Sequence, residues 1–163
     1  MTSLYLRQKV FSWKDRFTVK GEDGSDRYWV EGEFLSIGKK LHVHDMTGVE
    51  VAFIRQKVWS FRPRFYVDVQ GVEVAEIVRE FALRPRYTIQ GLGWEVQGDF
   101  WGHNYEITSQ GRSVVRVQKA WMSWGDSYRI DILDNRDEIN ALAVVLAIDA
   151  VLSQETAAAS AAN

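Results

Sequence analysis

Short runs in which apolar and polar residues alternate recur along the chain, rich in Val, Ile, Phe, Tyr and Trp. Alternation with a period of two marks strands with one face buried. It predicts strands near Leu4–Val10, Arg16–Lys20, Arg27–Glu33, Lys40–His44, Val49–Val58, Phe65–Val69, Glu73–Arg79, Arg86–Ile89, Glu95–Asp99, Tyr105–Thr108, Ser113–Lys119 and Tyr128–Leu133. Turn clusters separate them, among them Glu22-Asp23-Gly24, Met46-Thr47-Gly48, Gln70-Gly71 and Ser109-Gln110-Gly111. Glycine there supplies the positive φ of tight hairpins. About twelve strands at this spacing imply a mostly antiparallel sandwich or barrel. Closure into a barrel is favoured because it removes exposed edges.

The chain also repeats itself. Gln8-Lys9-Val10-Phe11-Ser12-Trp13 returns as Gln56-Lys57-Val58-Trp59-Ser60-Phe61, and more loosely as Gln118-Lys119-Ala120-Trp121-Met122-Ser123-Trp124. Val30-Glu31-Gly32-Glu33-Phe34 parallels Val96-Gln97-Gly98-Asp99-Phe100. From Val30 to Val96, Gly48 to Gly111 and Gln56 to Gln118 the offsets are 66, 63 and 62 residues. Such a long period suggests one half-barrel duplicated, not a short-period solenoid.

The last element differs in kind. Ile139–Leu152 is apolar on every side apart from Asn140 and Asp149, which predicts a buried helix with Asp137 as its N-cap. A helix of that length spans about 21 Å, short of the roughly 30 Å of a hydrocarbon core, so no transmembrane span is expected. Ser153–Asn163 is small and polar and is expected to be a disordered tail. The division is thus a barrel domain over 1–152, with its central helix at 139–152, and a tail over 153–163.

A β-rich chain of two similar halves closed by one apolar helix resembles the LURP-one-related family, which shares the tubby C-terminal-like fold with tubby proteins and phospholipid scramblases. The residues that carry the resemblance are Leu6-Arg7-Gln8-Lys9-Val10-Phe11-Ser12, Asp45-Met46-Thr47-Gly48, Ala52 to Phe61, Val96-Gln97-Gly98-Asp99-Phe100-Trp101 and Ile148-Asp149-Ala150-Val151-Leu152. Together they span roughly residues 4–152. The resemblance implies a twelve-stranded barrel threaded by a hydrophobic helix. Tubby relatives bind phosphoinositide headgroups and scramblases act at membranes, so it also implies an anionic phospholipid as a candidate partner.

Composition narrows the chemistry. The chain has 163 residues, 20 basic and 22 acidic, for a formal charge of −2. Any anion-binding surface must therefore be local, and nucleic acid is not an expected partner. Cysteine is absent, which removes thiolate catalysis and Cys-based zinc. The opening residues show no apolar run before their charges, so no secretory signal is expected and the cytoplasm is the expected location. Gly91-Leu92-Gly93 is followed by Trp94 and next by Gly98, which is not dinucleotide spacing, and no Gly-x-Ser-x-Gly occurs. No enzymatic activity, cofactor or metal is expected.

The most suggestive local feature is a repeated basic turn, Arg62-Pro63-Arg64 and Arg84-Pro85-Arg86, which hold the only two prolines. Arg62, Arg64, Arg84 and Arg86 form a candidate phosphate-binding set, since guanidinium grips phosphate bidentately. Lys39, Lys40, Arg55 and Lys57 can extend it, and the plain alternative is solvated turn charge. Four basic residues near an anionic bilayer supply about 4 kcal/mol, only millimolar affinity. An apolar insertion is therefore needed as well, for which Trp59, Trp121 or Trp124 are candidates; packing in the core or between strands is the expected fate of each. His42 and His44 share a strand face, most simply as exposed polar residues. Asp131, Asp134, Asp137 and Glu138 crowd the junction with the helix, where capping accounts for them better than calcium does. Asp149, a carboxyl in an apolar helix, is expected to satisfy backbone donors or an arginine. The alternative to lipid binding is a protein-interaction or stress-response module, as a homodimer or with another partner. A carrier of an apolar ligand in the lumen is disfavoured because the helix fills it.

Overall fold

Every strand pairs with its sequence neighbour, antiparallel throughout, and the last closes on the first. The computed structural model describes residues 1–7, 16–33, 36–83, 86–123 and 125–163. Its strands are β1 Thr2–Arg7, β2 Phe17–Gly21, β3 Asp26–Gly32, β4 Lys40–Asp45, β5 Glu50–Gln56, β6 Arg64–Val69, β7 Val72–Arg79, β8 Tyr87–Gln90, β9 Trp94–Asp99, β10 Asn104–Ser109, β11 Arg112–Met122 and β12 Gly125–Ile132. Thr2 faces Ile132 and Arg7 faces Ser127, which seals β1 to β12 and closes the barrel. All twelve predicted strands are present, with ends shifted by up to a few residues. The predicted extension of β1 to Val10 and the Gln8–Trp13 copy of the repeat lie outside the described residues.

An antiparallel meander sends its connections alternately to two ends. Tight turns β2–β3, β4–β5, β6–β7, β8–β9 and β10–β11 share one, the hairpin end, with the β12-to-helix junction. Longer connections β3–β4, β5–β6, β7–β8 and β9–β10 share the other, the loop end. The internal repeat maps onto this plan: the Val30 and Val96 copies start on β3 and β9, and the Gln56 and Gln118 copies start on β5, at its last residue, and on β11.

Alternate strand residues point inward and meet the helix α1, Glu138–Ala161, which follows a single 3-10 turn at Asn135–Asp137. From Ala141 to Leu152 every helical residue is buried, Asp149 included, against a lining that includes Val43, Ile54, Phe65, Val67, Ile77, Ile107, Val117 and Ile130. The helix lies against β5, β6, β7 and β12. Ala52 and Ala75, on two of those strands, keep the wall thin where the helix approaches.

Two expectations about this element need correction. The helix does not stop at Leu152 before a disordered tail but runs to Ala161. The tail is rich in alanine, the best helix former, and Thr156 and Ser160 hydroxyls bond the carbonyls of Leu152 and Thr156. Length therefore no longer argues against a membrane span: the stretch Asn135–Ala161 is long and apolar enough for one. The barrel wall covers much of it, and 67% of an 18-residue apolar window within the stretch is buried inside. Asp137 occupies the N-cap position but makes no capping bond. Asp134 caps the 3-10 turn instead, accepting from the Arg136 N–H. Glu138 turns inward to accept from the Tyr28 hydroxyl at 2.6 Å and from Arg27 at 3.2 Å.

Deleting residues 139–163 is expected to abolish folding, since each large side chain the helix buries contributes about 1.5–3 kcal/mol against a typical net stability of about 5–15 kcal/mol. A truncated protein that stays soluble and melts cooperatively by calorimetry would contradict the central-helix account.

Candidate functional site

The predicted basic set divides between two places. On the outer wall, Lys40 stands opposite Arg55 and Arg55 opposite Tyr66, as strand register requires. There Lys40 pairs with Glu33, Arg55 with Asp68 and Glu73, and Arg64 with Glu76 at 2.8 Å. These residues form a wall ladder of alternating charge, its cations already facing carboxylates. Lys39, Lys57, Arg62 and Arg86 instead sit at the loop end. Arg62 bonds Glu80 at 2.7 Å and lies over the Phe81 ring. Lys57 lies 5.9 Å from the Tyr66 ring, and Arg86 is exposed. Lys39 bonds the Ser153 hydroxyl, and burial holds its amine down to about 8. Arg84 lies outside the described residues.

What the sequence reading missed is the company these rim cations keep. Trp59, Phe61, Phe81, Trp101 and Trp121 are the exposed aromatic residues among the described ones, and all five belong to the loop end. Ile37 and Leu83 join them, and exposure runs from 50% at Trp101 to 108% at Leu83. Core or strand packing, the expected fate of Trp59 and Trp121, is thus overturned; Trp124 lies outside the described residues. Trp121 continues the alternation of β11 past the end of the core, whereas Trp59 stands three residues beyond β5, in the connection to β6. Trp59 also holds φ at +60°, a left-handed conformation unusual for a bulky residue, and such outliers gather at working loops. The hairpin end is different. Its turns carry Glu22, Asp23 and Asp45, and Asp134 stands at the helix junction. Hydrogen bonds from Ser25 and Thr47 lower the Asp23 and Asp45 carboxyls, and the Arg136 contacts bring Asp134 down to about 2.

Just inside the loop end lies a buried polar cluster around Asp149. Its Oδ2 accepts from the Tyr128 hydroxyl, and no arginine among the described residues pairs with it, contrary to expectation. His103 stacks on the Tyr128 ring with centroids 4.5 Å apart and places Nε2 3.6 Å from Asp149 Oδ1. Tyr105 and Tyr87 flank Phe100, at 5.2 and 4.7 Å between ring centroids. Burial first, and the Asp149 charge second, push the Tyr105 and Tyr128 hydroxyls well above their ordinary value. Gly98, with φ at +135°, brings β9 this close, for a Cβ there would meet Tyr105 Cα at 2.6 Å. Nothing in the sequence joins His103 to Asp149, because only barrel closure around the helix brings them together.

The two remaining candidates are structural. His42 bonds Glu50 at 2.5 Å and Glu33 at 2.9 Å, and His44 stacks on Trp29. No group of three or more metal-ligating side chains exists among the described residues. At the helix junction Asp131 accepts from Ser3 and pairs with Arg129, and Asp134 pairs with Arg136.

Comparison with known proteins agrees with this architecture. A family model described as LURP-one-related matches residues 2–149. The uncharacterized protein YxjI of Bacillus subtilis (strain 168) is 35% identical over 153 residues, covering 93% of this chain and 94% of the relative. A crystal structure of a protein from Arabidopsis thaliana superposes with a TM-score of 0.62 at 14% identity, covering 91% of this chain and 90% of the other. That similarity is one of fold.

Two outcomes test the local chemistry. Asp149→Asn should keep an acceptor for Tyr128, whereas Asp149→Leu should leave that hydroxyl unpaired and cost about 1–3 kcal/mol more in denaturant melts; equal stability of both variants and wild type would defeat the structural role. Burial opposes protonation of His42, but Glu50 and Glu33 outweigh it and raise its pKa. A raised folded-state value gives stability that is full below the unfolded value of about 6.5 and is lost as pH rises through the folded one. The melting-temperature advantage of wild type over His42→Gln should therefore shrink as pH rises from about 6 to about 8.5, and a constant advantage would rule that linkage out.

Proposed function

The chain belongs to the LURP-one-related family, and from that premise we propose that it is a non-catalytic binding domain that docks peripherally, by its loop end, on anionic phospholipid, phosphoinositide headgroups included. The observation that carries this reading is the segregation of exposed aromatic rings onto one end of the barrel, beside the cations Lys57, Arg62 and Arg86, with the acidic residues Glu22, Asp23 and Asp45 on turns at the other. Trp and Arg or Lys on one rim match a bilayer interface, where rings enter the headgroup layer and cations meet phosphate.

Magnitudes favour joint action over a basic patch alone. Lys57 and Arg86, with a share from Arg62, contribute about 2–3 kcal/mol near an anionic surface. Three partly inserted rings add of the order of 1.5 kcal/mol each. The total corresponds to a dissociation constant of about 3–16 μM, which neither set reaches by itself. The wall residues Lys40, Arg55 and Arg64 have no part in this surface because their carboxylate partners occupy them. The domain works at the cytoplasmic face of a membrane in this reading.

Flotation with neutral and anionic vesicles across a salt series tests it. Binding should require anionic lipid, weaken with salt, and fall about tenfold or more in a folded Trp59→Ser, Phe61→Ser, Trp121→Ser variant. Arg62→Glu with Arg86→Glu should weaken it further, and Arg55→Glu should change it little. Absence of binding at low salt would remove the lipid reading and turn the same surface toward a protein partner.

A further inference from the structure

A second feature of the loop end does not depend on membrane docking. A cavity of about 410 Å³ opens beside the last turns of α1, lined by Phe100, Trp101, His103, Asp149, Thr156 and Ala157 among others. That volume lies within the usual range for small-molecule sites, about 300–1,000 Å³. Its walls are aromatic and aliphatic, and its floor is the Asp149 cluster.

That floor is incomplete. Asp149 is 3% exposed, yet its Oδ1 has no hydrogen-bond partner. His103 Nε2, at 3.6 Å, stands within ion-pair distance of it but beyond hydrogen-bond reach. His103 Nδ1 and the hydroxyls of Tyr105 and Tyr87 are likewise buried and unpartnered. Buried polar atoms are nearly always satisfied, and two of these orphans, Asp149 Oδ1 and His103 Nδ1, belong to residues that line the cavity, so they call for a polar group that is supplied from outside. As a carboxylate Asp149 only accepts, so the missing group must donate. A cation fits best, because one carboxylate in an apolar enclosure is costly until a positive partner meets it. His103 adds a further sign of a working position, holding φ at +48°.

We propose that this cavity is a binding site for a small organic cation, a protonated amine on an apolar or aromatic body. The ammonium donates to Asp149 Oδ1 beside His103, and the body lies against Phe100, Trp101 and the helix face at Thr156 and Ala157. Aromatic walls suit this ligand, since ring faces attract cations. Either a free amine or the aminoethyl headgroup of a phospholipid carries this chemistry.

Isothermal titration of the full chain, without vesicles, tests the site. The probes are phenethylamine, its anionic and neutral counterparts phenylacetate and 2-phenylethanol, and dihexanoylphosphatidylethanolamine below its micellar concentration. Phenethylamine should bind and phenylacetate should not, and Asp149→Asn should weaken binding roughly tenfold or more. Binding by the short-chain lipid alone assigns the site to a lipid headgroup, and by phenethylamine alone to a free amine. Ala157→Trp, on the exposed end of the helix, should block the cavity without touching the core, which keeps the test decisive if Asp149→Asn does not fold. The site is refuted if neither amine binds, if phenylacetate binds equally, or if a folded variant binds as wild type does. Because no bilayer is involved, failure here leaves membrane docking standing, and failure of flotation leaves this site standing.

Discussion

A helix that is apolar on every side can be stable in water only if something covers it all round. From Ala141 to Leu152 no residue of α1 escapes burial, and a single flat sheet would cover only one side. The barrel is the sheet's answer to that demand, and the helix answers the sheet, since a barrel of this strand number leaves an interior that side chains alone fill poorly. Each half buries the apolar surface of the other. Small residues on the wall and an inward Glu138 held by Tyr28 are local consequences of fitting one inside the other.

That constraint also produces the two unlike ends. The helix enters beside the tight hairpins, where acidic turns and the capped junction close the barrel. It leaves through the loop end, where strands finish, the core runs out and residues that alternate inward have no interior left to reach. Trp121 stands at the end of β11 there and the other exposed rings stand in the connections between strands, and the cavity lined by His103 and Asp149 opens where the emerging helix no longer fills the space between itself and the wall. Polarity of the molecule follows from its topology, and the functional reading follows from the polarity.

Much of the fold was legible from residue pattern. Period-two alternation located the strands, and the Val30/Val96 and Gln56/Gln118 copies correctly paired the two halves. What failed was any inference about an element's end. Alanines after Leu152 looked like a featureless tail and are helical, because small residues signal low hydrophobicity and high helix propensity at once. Trp59 and Trp121 looked like core because alternation carries no information on where the barrel stops. The arginine turns were visible, but the carboxylates that engage Arg62 and Arg64, Glu80 and Glu76, sit on the neighbouring strand or its continuation. Asp149 was singled out by its chemistry alone, whereas its neighbours His103, Tyr105 and Tyr128 became visible only once three strands and a helix had met.

The central claim is that the loop end is the working end. Hydrogen exchange of the backbone amides, with and without phosphatidylglycerol vesicles, addresses it most directly. Protection on adding vesicles should be confined to residues 36–39, 57–62, 81–83 and 100–103 and the end of β11, leaving the hairpins at Asp23 and Asp45 unchanged. Protection at the hairpin end, or equal protection at both, would contradict the account.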